Sequence, residues 1–77
     1  MNIYLISQTT NNSFDTYDSA IVGAESVEEA QKINPSSGWG GSYPGWADKP
    51  EQVDVLLIGK AVDGTAAGVI LASFNAA

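Results

Sequence analysis

One segment, Asn34 to Pro50 (NPSSGWGGSYPGWADKP), divides this chain, because it holds all three prolines, both tryptophans and four of the eight glycines. Proline lacks the N–H that a strand ladder needs, and glycine weakens helix and strand alike, so regular structure must lie on either side. Trp39, Tyr43 and Trp46 bring large amphipathic rings to this irregular stretch, which is the pattern of a contact loop. The same rings could instead plug a sheet face: Trp46 borders the next strand, whereas Trp39 sits among Gly38, Gly40 and Gly41. WGG and PGW match neither a phosphate loop, which needs a lysine and a following helix, nor a dinucleotide-binding turn.

Upstream, Asn2 to Gln8 is rich in β-favouring residues and stops at a polar run, so it reads as a first strand; Ser19 to Ala24 reads as a second. The stretch between them allows a loose hairpin with Phe14 and Tyr17 on its return side. Ser26 followed by Glu29 has capping-box spacing and predicts a helix start. Val27, Ala30 and Ile33 fall on one face, Glu28 and Lys32 form an i,i+4 pair, and Asn34-Pro35 ends the helix after about two turns.

Downstream, Gln52 to Ala61 and Gly68 to Asn75 are strand-like, and Asp63-Gly64 between them predicts a hairpin. Apolar residues occupy both parities of these strands, so both sheet faces want cover. One short helix covers one face. The second must be met by the tryptophan segment or by a second copy of the chain packing sheet to sheet.

Composition removes whole classes of chemistry. The 77 residues contain no cysteine and no histidine, which excludes disulfides, thiolate metal sites, the usual general base near neutral pH and the commonest transition-metal ligand. The cations are three lysines against nine carboxylates, a net charge of -6, so nucleic acid and anionic membrane would repel the chain and a basic protein would attract it. MNIYLISQTT lacks a basic leader and no stretch approaches a membrane helix, which suggests a cytoplasmic location.

The remaining candidates for chemistry are thin. Asn11 to Ser19 (NNSFDTYDS) is oxygen-rich but lacks the spacing and terminal glutamate of a calcium loop, and reads better as a solvated turn. Glu25, Asp48, Glu51 and Asp54 could supply a carboxylate pair, but a domain of this size has little room for the cleft such a pair requires. Lys49 or Lys60 would have to be buried to act as an amine nucleophile, Lys60 beside Gly59 near a strand end reads as exposed, and no serine has a base. The chain reads as non-enzymatic, without cofactor or metal.

YDSAIV (Tyr17 to Val22), SVEEAQKINP (Ser26 to Pro35), LIGKA (Leu57 to Ala61) and GVILASFNA (Gly68 to Ala76) together span nearly the whole chain. In these segments it resembles small accessory proteins encoded by tailed bacteriophages. The resemblance implies context rather than chemistry: a protein that works in the host cytoplasm by binding and altering a host protein, or by countering a defence system.

The expectation is a single α+β domain over residues 1–77, order β-β-α-β-β, with a four-stranded, mainly antiparallel sheet and one short helix on one face. Its expected function is to bind and inhibit or redirect a host protein with a basic surface. Trp39, Tyr43, Trp46 and Asp48 are the proposed contact residues. The competing readings are an oligomeric small-molecule sponge and a virion component, and a homodimer fits either.

Overall fold

The computed structural model describes residues 1–10, 16–35, 46–47 and 49–75. Strands β1 (Asn2–Ser7) and β2 (Thr16–Ala24) pair antiparallel, with Asn2 opposite Ala24 and Ser7 opposite Ser19. Burial fixes this register: Tyr4 and Ile6 share a face with Ala20, Val22 and Ala24, and all five are buried. A one-residue slip would turn the whole set outward. β1 ends one residue earlier than its composition predicts, and β2 begins three earlier. Gln8 is nevertheless buried and tied to the return strand: its N–H donates to the Asp18 carbonyl at 3.1 Å and its Nε2 to the Tyr17 carbonyl at 2.8 Å.

Helix α1 (Val27–Gln31) starts where predicted, the Ser26 Oγ accepting from the Glu29 N–H at 3.2 Å. The Glu29 carboxylate accepts from the Glu25 N–H at 3.0 Å, so the return bond lands one residue before the cap. At five residues the helix is shorter than the expected two turns. Ala30 is buried and Ile33, just beyond the helix, packs on the core, but Val27 is 48% exposed. The expected Glu28–Lys32 pair does not close; the ion pair among the described residues joins the N-terminal ammonium to Glu25 at 4.0 Å.

β3 (Asp54–Lys60) and β4 (Gly68–Asn75) complete a four-stranded antiparallel sheet, and the predicted β-β-α-β-β order and α+β class hold. The sheet order, however, is β3-β1-β2-β4. β3 pairs with β1 and β4 with β2, so the expected β3–β4 hairpin does not form. Asp63-Gly64 does turn the chain, with the Thr65 N–H bonded to the Val62 carbonyl at 3.2 Å and Gly64 at φ 88°. That turn lies inside a connection that carries the chain past the ends of β1 and β2, where the Ala61 N–H meets the Met1 carbonyl at 3.0 Å. Seven residues, at about 3.3 Å each, can cover the roughly 14 Å of three inter-strand gaps.

The core lies on one side of the sheet. Ala30, Trp46 and Val53 join Tyr4, Ile6, Ala20, Val22 and Ala24 in a single buried cluster. Trp46 therefore plugs the face that α1 already covers, not the opposite one. On that opposite face the described residues in place are Met1 and Ala66, both against Gly23.

Candidate functional site

The Gly/Pro/Trp segment lies between α1 and β3 in the sequence, and its described ends share a cleft. Ile33 and Asn34 on the outgoing side line the same cleft, of about 120 Å³, as Trp46 and Ala47 on the return. Trp46 holds the return end: its ring is 4% exposed within the core. A single 3₁₀ turn (Pro50–Gln52) then leads into β3, with the Val53 N–H on the Pro50 carbonyl at 3.0 Å and the Lys49 N–H on Gln52 Oε1 at 3.3 Å. Gln31 Nε2 donates to the Val53 carbonyl at 3.3 Å and so ties α1 to the same point.

Of the proposed contact residues, Trp46 lies buried in the apolar cluster beside the cleft. Trp39, Tyr43 and Asp48 lie outside the described residues. Lys32 and Lys49, two of the three cations, line the cleft at the foot of the segment and are exposed.

Every described carboxylate is exposed, Asp54 included, so none has the enclosed apolar setting that acid–base catalysis uses. Among the described residues no three histidine, cysteine, aspartate or glutamate side chains converge on a metal position. No described helix is long and apolar enough to cross a membrane. No known protein family, characterised protein or solved structure matches the chain.

Sequence reasoning expected an apolar second face opposite α1 but not which residues line up across it. There Leu56 and Leu71 stand 60% and 64% exposed at the two edges. Their alternation was readable in each strand, but their alignment depends on the β3-β1-β2-β4 order, which the sequence did not signal.

Proposed function

We propose that this chain is a non-enzymatic binding protein, a phage accessory product that binds and inhibits or redirects a host protein. The observation that supports the reading is the cleft at the ends of the segment, which residues 33–34 and 46–47 line together beside the exposed Lys32 and Lys49. Trp39 and Tyr43 lie in the sequence between those two ends, and their rings are of the type that interface hot spots favour. Asp48 and the net charge of -6 favour a basic partner and speed its approach.

The test is capture from lysate of the bacterial host, comparing wild type with Trp39→Ala and Tyr43→Ala, each verified as folded. Recovery of one host protein in stoichiometric amount, lost with either variant and weakened by salt, is the expected result. Undiminished capture by both variants would sink the assignment. A self-associating virion part or ligand sponge is the second reading, and it draws on the bare sheet face.

A further inference from the structure

The face of the sheet opposite α1 holds three rows paired across all four strands, with register shifts that leave Ile58 of β3 and Ile70 of β4 as extra residues between the leucine row and the glycine row. Leu56, Leu5, Ile21 and Leu71 are successive partners in register and form one row. On one side lies Gly59, Ile3, Gly23 and Gly68; on the other, Asp54, Ser7, Ser19 and Ser73. The result is a ridge of large aliphatic side chains between two rows of mostly small ones. Beside Ile21 and Leu71, above Ser19 and Ser73, the surface dips into a depression of about 370 Å³.

The aliphatic side chains are distributed outward to an unusual degree. None of the four leucines is buried, and the large exposed apolar residues include Leu56, Leu57, Ile58, Val69, Ile70 and Leu71, while the buried core relies on three alanines. On this face the contiguous part is the row Leu56, Leu5, Ile21 and Leu71, whereas Leu57 and Val69 pair with Tyr4 and Val22 on the other face; a contiguous apolar row marks an interaction site.

We infer that this face is the interface of a homodimer, two copies packed sheet to sheet about a two-fold axis, an arrangement independent of the host-binding reading. Shape supports a second copy as the occupant, because a ridge beside a row of small residues is complementary to itself: each copy's leucines lie along the other's serine row, the glycine row being partly covered by Met1 and Ala66 over Gly23. Charge supports it as well. Asp54, at a corner, is the one charged residue in the three rows, so two chains that each carry -6 can meet here with few like charges to stack, and a basic partner finds only that one carboxylate to pair with. Area is sufficient: four strands about 4.8 Å apart and three rows about 6.7 Å apart make a face of roughly 20 by 20 Å. Pairing two such faces removes on the order of 1,000 Å² from water, the lower bound for a specific interface.

Sedimentation equilibrium from sub-micromolar to hundreds of micromolar protein tests this with three variants. Leu56→Asp and Leu71→Asp place a charge on the ridge at opposite sheet edges, at positions so exposed in the single chain that its fold is little affected. Leu57→Asp is the control, equally exposed at 57% but on the Tyr4 face. The expected result is a wild-type dimer, an increase of about tenfold or more in its dissociation constant with either ridge variant, and an unchanged dimer with Leu57→Asp. A wild-type monomer throughout would overturn the inference. So would loss with Leu71→Asp alone, which would mean pairing along the β4 edge, or loss with Leu57→Asp.

Discussion

The Met1 side chain rests against Gly23: a Cβ built on that glycine would lie 3.1 Å from the Met1 Sδ and 3.3 Å from the Ala66 carbonyl oxygen. Gly23 thus lets the β3–β4 connection pass close over β2, which is what allows β3 and β4 to occupy opposite edges. The methionine can swing aside. The Ala66 carbonyl is backbone and moves only if the connection moves.

Gly23→Val should therefore destabilise the fold by about 1–3 kcal/mol, as overpacking does. For a domain of this size that is a fall of about 5–15 °C in the thermal midpoint. Gly59→Val is the comparison, in the same row with nothing within 4 Å of its Cβ, and should remain within about 0.5 kcal/mol of wild type. Equal losses from the two substitutions would refute the close approach.

Trp46→Ala should unfold most of the population. Removing a buried tryptophan costs about 3–5 kcal/mol, comparable with the whole stability a domain this small can draw from one core. Trp46→Phe should stay folded with a lower midpoint. In a Trp39→Phe background the fluorescence comes from Trp46 alone and should be blue-shifted and shielded from acrylamide; red-shifted, readily quenched emission would place the ring in water.

Ser26→Ala removes the acceptor for the Glu29 N–H, and because α1 has only five residues there is no second turn to absorb the loss. The expected cost is about 1 kcal/mol, or about 4–8 °C, with Ser26→Asp retaining most of the stability. A thermal melt of the two variants decides it.

The parts of this fold that could be read from sequence are those written in local chemistry. Ser26 announced the helix and Gly68 to Asn75 matched β4 residue for residue, although the helix stops at Gln31, short of the limit that Asn34-Pro35 set. The pairing order could not be read in the same way. Asp63-Gly64 is a true turn, and a turn between two strands normally makes them neighbours; what prevented it here is that both edges of the β1–β2 pair needed a partner, a demand that exists only once that pair has formed. The same limit applies to the sites. Trp46 declared itself as an aromatic beside a strand, yet which face it would fill depended on α1, Ala30 and Val53 arriving on the same side. Leu5, Ile21, Leu56 and Leu71 come from four separate stretches of chain, and only the register lines them up.

If the leucine ridge is the dimer contact, stability must depend on protein concentration, because unfolding then separates two chains. Each tenfold increase in concentration adds about 1.4 kcal/mol per dimer in the range where dimer is populated, so the urea midpoint should climb steadily across a dilution series. Leu56→Asp leaves the buried cluster intact but charges the end of the ridge, so its midpoint should be lower at high concentration, equal to wild type at high dilution, and flat across the series. The convergence on dilution is the informative part: a substitution that merely damaged the single chain would keep the two curves apart at every concentration.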